Sequence, residues 1–194
     1  MQRPLPQANT GPAATEEDLV RAARAGDANA FADLYERHLD AIYRYFYYRL
    51  GHHEDAEDLT EQVFLKAWQA LPGFRERGVP FLAWLYRVAH NLLIDHRRTA
   101  RPAADVDQLA PRLPHPRDAG DLVASRDEVG ALVQAIAQLS PVEQSVVVLR
   151  FVERLDHHTV AGIVGKSETA TRAIQSRALQ RLARLLDGKG YSRE

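Results

Sequence analysis

The sequence contains no cysteine, which excludes disulfide bonds, thiolate metal sites and thiol-based redox sensing within the chain. No apolar run approaches the length of a membrane span, and the N-terminus lacks the charged-then-apolar pattern of a signal peptide. We therefore expect a cytoplasmic chain that is not inserted in a membrane. Nothing resembles a nucleophile–base pair or a phosphate-binding loop, so we expect neither catalysis nor a cofactor.

An alternating β pattern of useful length is also missing, whereas helical spacing recurs along most of the chain. The sequence therefore predicts an all-α fold. Thr15 is a candidate N-cap of a first helix, and Asp27 and Gly51 are the expected start and stop of a second. A third helix is expected from about Glu54 to Leu71, and Pro80 is expected at the first position of a fourth.

Four prolines between residues 99 and 124 separate two helical modules, because proline disfavours helix around it. The predicted organisation is a disordered tail at 1–14, a four-helix bundle at 15–98, a proline-rich linker at 99–124, a second helical domain at 125–187 and a short tail at 188–194.

The predicted fourth helix carries two different faces. Phe81, Leu85, Val88 and Leu92 form an apolar stripe, while a second face carries Trp84, Asn91, Asp95 and Arg98. Aromatic rings stack on bases and guanidinium groups neutralise phosphates, so this face suits unpaired nucleic acid. The alternative is a half-buried tryptophan in the core and a solvated helix end, and periodicity alone does not separate the two.

The C-terminal part has clear signals for where its helices begin and end. Ser125 and Glu128 form a first capping-box pattern, and Ser140, Pro141 and Glu143 form a second, on a helix expected to end near Arg154. Further on, Asp156 is expected to cap a short helix closed by Gly165, and Ser167 to cap a long final helix.

A short helix, a glycine-containing turn and a basic helix indicate a helix-turn-helix. Between residues 166 and 184 the only acidic side chain is Glu168, against one lysine and four arginines. Polar side chains at the start of the final helix suit base edges and phosphates of a major groove: Glu168, Thr169, Arg172, Gln175 and Ser176. A plain helical hairpin with a solvated basic face is the alternative.

Three segments in order resemble a known family. They are A-E-D-L-T-E-Q-V-F-L-K-A-W (56–68), F-L-A-W-L-Y-R-V-A-H-N-L-L-I-D-H-R-R (81–98), and L-S-P-V-E-Q-S-V-V-V-L-R-F-V (139–152) followed by S-R-A-L-Q-R-L (176–182). With the linker between them, they resemble the extracytoplasmic-function (ECF) sigma factors, the promoter-recognition subunits of bacterial RNA polymerase. The resemblance implies a sigma-2 bundle, a linker and a sigma-4 helix-turn-helix.

The resemblance also assigns expected roles to residues. Core polymerase would be bound by Asp58, Glu61, Gln62 and Phe64. The −10 element would be bound and melted by Phe74, Trp84, Arg87, Asn91, Asp95, Arg97 and Arg98, with Asn91 against a flipped base. The −35 element would be read by the five polar side chains at the start of the final helix. An anti-sigma factor is implied as a further partner.

Two histidine pairs, His52-His53 and His157-His158, raise a metal hypothesis, but neither has a well-spaced third ligand, so no metal is expected. His157, His158 and Thr159 stand where relatives commonly carry an aromatic residue and two acids. Two other functions remain open: a stand-alone helix-turn-helix regulator would use only 125–187, and a helical protein scaffold would leave the basic final helix unexplained.

Overall fold

The computed structural model describes residues 14–75, 78–99 and 126–187, with the side chains at 97–99, 126 and 127 left out. The predicted tails, apart from residue 14, lie outside this range, as do the predicted cap Ser125 and the predicted linker beyond residue 99. Every regular element in the described residues is helical, which confirms the all-α prediction.

The first half folds into four helices, α1 (Glu16–Arg24), α2 (Ala28–Leu50), α3 (His53–Ala70) and α4 (Phe81–Thr99), with a 3₁₀ turn at Leu71–Gly73. The predicted caps are confirmed: the Thr15 hydroxyl accepts from the Asp18 N–H, and Asp27 accepts from two N–H groups of the first turn of α2. Gly51 ends α2 in the left-handed region, at φ 75°.

One boundary was predicted wrongly by a single residue. Helix α4 begins at Phe81. The carbonyl of Pro80 accepts the first helical hydrogen bond, from the Trp84 N–H at 3.2 Å, so Pro80 is the N-cap residue and not the first helical residue.

The second half contains α5 (Arg126–Ala137), α6 (Pro141–Val147), a π-helical turn (Val148–Val152), α7 (His157–Val164) and α8 (Glu168–Asp187). The Ser140–Glu143 capping box is present, and Asp156 and Ser167 cap α7 and α8. The helix predicted from Pro141 to near Arg154 is confirmed in extent, because the π-helical turn continues α6 to Val152, but its last turn is wider than an α-helical turn. A hydrogen bond from the Glu153 N–H to the Val148 carbonyl, five residues back, closes the wider turn.

The two halves share one continuous hydrophobic core. Helix α2 packs against α5 and the π-helical turn, and α4 packs against α7. The sequence predicted two separate modules and gave no indication of this contact. Among the helices of the described ranges, none combines the length and apolarity needed to cross a bilayer.

Candidate functional site

The outer face of α4 presents the polar side chains that the sequence singled out. Arg87, Asn91 and Asp95 are exposed, and Ile94 lies beside them with 49% of its surface exposed. Sequence analysis missed Ile94, although its spacing of three from Asn91 and seven from Arg87 places it on that face. An exposed isoleucine among polar groups supplies apolar contact area, and we call these four residues the α4 face.

The two aromatic residues assigned to the same role lie elsewhere. Phe74 is buried, and Trp84 is half-buried with its ring 4.8 Å from Phe74 and 5.5 Å from Phe81, measured between centroids. This packing makes them part of the bundle core, next to the α4 face. The side chains of Arg97 and Arg98 fall outside the described residues.

Helix α3 has a second exposed face. Asp58, Glu61 and Gln62 are exposed, and Leu65, which sequence analysis missed, shares this face by its spacing of seven from Asp58 and is 59% exposed. Phe64 differs from them, because it is buried with its ring centroid 4.6 Å from that of Tyr35. The three polar residues and Leu65 are the α3 face.

The helix-turn-helix is formed by α7, a turn at Gly165 with φ 65°, and α8. Thr169, Arg172 and Ser176 point to solvent. Glu168 is half-buried and lies 3.0 Å from the His158 ring nitrogen and 3.7 Å from the Arg172 guanidinium.

Gln175 is the exception among the five predicted reading residues of α8. Its amide oxygen lies 3.3 Å from Arg150 Nε and 3.0 Å from His157 Nε2. Because an arginine nitrogen only donates, the atom facing it must be the amide oxygen, which settles the orientation of the amide. The NH₂ group alone remains for other partners, so Gln175 can offer donors but no acceptor.

The arginines further along α8 form a separate basic surface. A groove of about 600 Å³ is lined by Glu143, Arg177, Gln180, Arg181, Arg184 and Leu185. The hydrogen bond from Ser140 holds the pKa of Glu143 below its usual value, and the nearby guanidinium groups act in the same direction. Glu143 therefore stays ionised and offsets part of this basic charge.

Neither histidine pair gathers ligands into a metal site. His53 packs against Tyr43 and Tyr47, while His157 and His158 contact Gln175 and Glu168. Over the described part of the chain, no group of three or more histidine or acidic side chains is arranged to hold an ion.

Two polar clusters lie in the contact between the halves. In the carboxylate cluster, Glu153 accepts hydrogen bonds from Arg44 and Tyr86. In the histidine cluster, Arg49 and Ser145 both donate to the Pro141 carbonyl, and His90 Nδ1 lies 3.2 Å from the Ser145 hydroxyl. Burial, and then the charge of Arg49, lowers the pKa of His90 to about 4.

Comparison with known proteins identifies the family. The Sigma-70 region 2 model matches residues 34–102, and the Sigma-70 region 4 model matches residues 135–184. The ECF RNA polymerase sigma factor SigD of Mycobacterium tuberculosis is 34% identical over 171 residues, which cover 84% of this chain and 80% of SigD. The chain belongs to the ECF sigma factors.

Other similarities extend over most of this sigma factor. The ECF sigma factor BldN of Streptomyces coelicolor is 39% identical over 171 residues, covering 87% of this chain but 65% of BldN, slightly less than two thirds. The sigma factor RpoE, solved in complex with the anti-sigma factor NepR from Bartonella quintana, superimposes with a TM-score of 0.64 at 25% identity, covering 81% of this chain and 96% of that one. The polar clusters join the parts that match region 2 and region 4.

The low pKa of His90 predicts that this sigma factor loses stability in mild acid. An unfolded histidine titrates near pH 6.5, so between pH 6.5 and 4 the unfolded state binds a proton that the folded state excludes. Stability therefore falls as the pH drops through this window, by about 1–2 kcal/mol from this residue between pH 7 and 5.

Urea unfolding of the wild type and His90→Gln at both pH values measures this contribution. The variant should lose less stability than the wild type, and exposed His52→Gln is the matched control. Equal losses in the wild type and His90→Gln would contradict the assignment.

Proposed function

We propose that this chain binds core RNA polymerase, directs it to promoters and helps to open the −10 element. The observation that carries the proposal is the order of the two family matches, region 2 followed by region 4, each with an exposed polar helix face. The alternative function, a stand-alone helix-turn-helix regulator, does not account for the region 2 match. In this role the chain works in the cytoplasm and performs no catalysis itself.

Each half of the chain has its own binding function in this proposal. Residues 15–98 bind core polymerase through the α3 face and the −10 element through the α4 face, and residues 125–187 bind the −35 element through the exposed start of α8. Phe64, Phe74 and Trp84 support these surfaces from the core, because their rings pack against other aromatic rings of the bundle. The linker at 99–124 joins the two binding units.

An anti-sigma factor completes the proposed set of partners. The RpoE structure contains NepR, an anti-sigma factor, and this chain matches 96% of that RpoE chain. Because this sigma factor has no cysteine, a thiol-based signal would have to be sensed by the partner.

The first test concerns the α3 face. Asp58→Arg should weaken binding to core polymerase at least about tenfold, because it places the wrong charge in an interface selected for charge complementarity. Pull-down with core polymerase and a titration with labelled sigma factor measure the change, and circular dichroism checks the helical content. Phe64→Ala is a poor test, since removing a buried ring opens a cavity and destabilises the bundle.

The control is Glu36→Arg, which makes the same charge reversal at an exposed position of α2. Normal binding by Asp58→Arg, or equal weakening by Glu36→Arg, would show that the α3 face is not the polymerase contact.

The second test concerns melting. Asn91→Ala should still form the closed promoter complex but form less open complex, because an amide that holds a flipped base offsets an unstacking cost of about a few kcal/mol. Permanganate footprinting and abortive transcription measure opening. A template already mismatched at the −10 bubble removes that cost, so the variant should recover most of its activity there.

Asn91 is solvent-exposed, so Asn91→Ala should leave the free energy of unfolding nearly unchanged. A folding defect therefore does not confound the result. The hypothesis fails if the variant opens duplex promoters normally or keeps its full defect on the mismatched template.

The third test concerns α8. Arg172→Ala should reduce promoter affinity about 5- to 150-fold, the equivalent of about 1–3 kcal/mol for a lost base contact, without changing core binding. Gel-shift titrations with holoenzyme on promoters varied one base at a time measure both affinity and specificity.

Arg184→Ala, another exposed arginine three turns along the same helix, is the matched control. If it contacts only phosphate, its loss should weaken binding to all sequences alike and lower the salt dependence. Unchanged discrimination in Arg172→Ala would remove this residue from the base-reading set.

A further inference from the structure

Gln175 on α8 is held by hydrogen-bond donors from two other elements. Arg150 of the π-helical turn donates through Nε to the amide oxygen at 3.3 Å, and Nε2 of His157, at the start of α7, lies 3.0 Å from the same oxygen. The Arg150 guanidinium also binds the Leu155 carbonyl, which keeps it in place. Because the oxygen and nitrogen of an amide diverge from one carbon, the NH₂ group of Gln175 points away from both donors.

The position of the hydrogen on His157 follows from this contact. The amide oxygen of Gln175 only accepts, so His157 Nε2 must carry a hydrogen. That nitrogen carries it in this neutral tautomer and in the protonated ring alike, so the amide has the same orientation in both charge states. Turning the amide over would place its NH₂ group against two other donors and lose both hydrogen bonds. We call Arg150, His157 and Gln175 the glutamine cluster.

Gln175 lies among the other proposed reading residues of α8. It follows Arg172 by three residues, about 4.5 Å along the helix axis, and directly precedes Ser176. Arg172 and Ser176 are exposed, whereas Gln175 is half-buried. Its place at the edge of the exposed face allows the amide oxygen to stay bound inside the domain while the NH₂ group faces a ligand on α8.

The second acceptor group at the start of α8 is also engaged within the domain. The Glu168 carboxylate lies 3.0 Å from His158 Nδ1 and 3.7 Å from the Arg172 guanidinium. Both contacts are at the surface, where such pairs are weak, so we assign no base preference to Glu168. The groups that Arg172 and Gln175 present outward are donors only.

Guanine is the base whose major-groove edge matches a donor-only side chain. Guanine presents two acceptors there, N7 and O6, whereas cytosine presents a donor and thymine one acceptor beside a methyl group. Adenine presents an acceptor beside a donor, and glutamine ordinarily binds it with both ends of the amide. The amide oxygen of Gln175 is already occupied, so adenine can receive one hydrogen bond from Gln175 and can return none.

We propose that the glutamine cluster makes Gln175 a donor-only reader, which selects guanine over adenine and cytosine at one position of the −35 element. The inference rests on the proposed function and deepens it, because it names the base edge that α8 reads. Gln175 determines the specificity, and Arg150 and His157 are positioning residues that act through it. A glutamine at the same place without these two donors would turn and favour adenine.

Selection from promoter duplexes randomised over the −35 element, with holoenzyme assembled from the full chain, tests the base preference. The parent protein should enrich guanine at one position, and Gln175→Leu should lose the preference there. Gln175→Glu should change it to cytosine, because its carboxylate keeps one oxygen on Arg150 and His157 and turns the other, an acceptor, outward. Circular dichroism checks that the variants keep their helical content.

A single-atom change in the DNA locates the contact. In 7-deazaguanine a C–H group replaces N7, which removes one acceptor and leaves base pairing intact. In the selected duplex this base should weaken binding of the parent holoenzyme at least about threefold, as expected for one lost hydrogen bond. It should weaken binding of Gln175→Leu less than about 1.5-fold, since that variant has no donor to lose.

The positioning role of His157 has its own readout, the ratio of affinities for guanine and adenine at that position. His157→Phe should lower the ratio at least about threefold, because Arg150 alone then orients the amide. His157→Gln, which can donate through its own NH₂ group, should restore most of it. His158→Phe is the matched control, since this neighbouring histidine contacts Glu168 and not Gln175, and it should leave the ratio unchanged.

The inference is overturned if Gln175→Leu and Gln175→Glu keep the base preferences of the parent, or if the parent binds the guanine and 7-deazaguanine duplexes equally. The positioning role is overturned if His157→Phe keeps the ratio or if His158→Phe lowers it equally. In these cases Gln175 only links α8 to α7 and the π-helical turn. Pull-down with core polymerase comes first: if the parent does not bind, the proposed function is wrong and this inference falls with it.

Discussion

The burial of one carboxylate between two helical bundles fixes how the halves of this protein meet. Apolar surfaces attract without direction, so they would tolerate many relative placements of the bundles. Hydrogen bonds from Arg44 and Tyr86 to Glu153 are directional, and an ionised group leaves water only when such partners are in place. The apolar contacts of α2 with α5, and of α4 with α7, are therefore compatible with a single placement.

The position of Glu153 depends in turn on a local irregularity in the helix before it. The π-helical turn at Val148–Val152 adds one residue to the turn and brings Glu153 to its C-terminal end. Arg154 then takes φ 55°, a left-handed conformation that is unusual for arginine and stops the helix. The Arg150 guanidinium binds the Leu155 carbonyl and the Gln175 amide oxygen, which ties this turn to α8. One segment thus orients both the contact between the halves and the reading helix.

The sequence predicts the local structure well because its signals are local. Thr15, Asp27, Ser140, Asp156 and Ser167 act on residues at most four positions away, and the structure confirms each cap. The extra residue of the π-helical turn carries no such signal, so the sequence predicted a regular helix to near Arg154 and not the wider turn that ends it. The partners of Glu153 are 67 and 109 residues distant in sequence, and no spacing rule in a single sequence connects them.

Contacts between distant residues also limit what helical spacing predicts about the functional faces. Helical spacing groups Trp84 with Asn91, but it does not indicate that Phe74 and Phe81 would cover the Trp84 ring. It also groups Gln175 with Arg172, although Arg150 and His157 from other elements take up the amide oxygen of Gln175. Conversely, Leu65 and Ile94 belong to exposed faces that spacing does define, and they were missed because apolar residues are first assigned to the core.

Region 2 contains two kinds of packing. Its aromatic rings, Phe74, Phe81 and Trp84 among them, are held by contacts within the bundle, which do not require region 4. Arg44, Arg49 and His90 instead meet region 4 through hydrogen bonds that water can replace once the surfaces part. Apolar contacts of α2 with α5 and of α4 with α7 lie beside these hydrogen bonds, so the contact between the halves is partly polar and partly apolar. The aromatic packing beneath the α3 and α4 faces therefore lies within the first half, whereas the polar clusters belong to its contact with the second half.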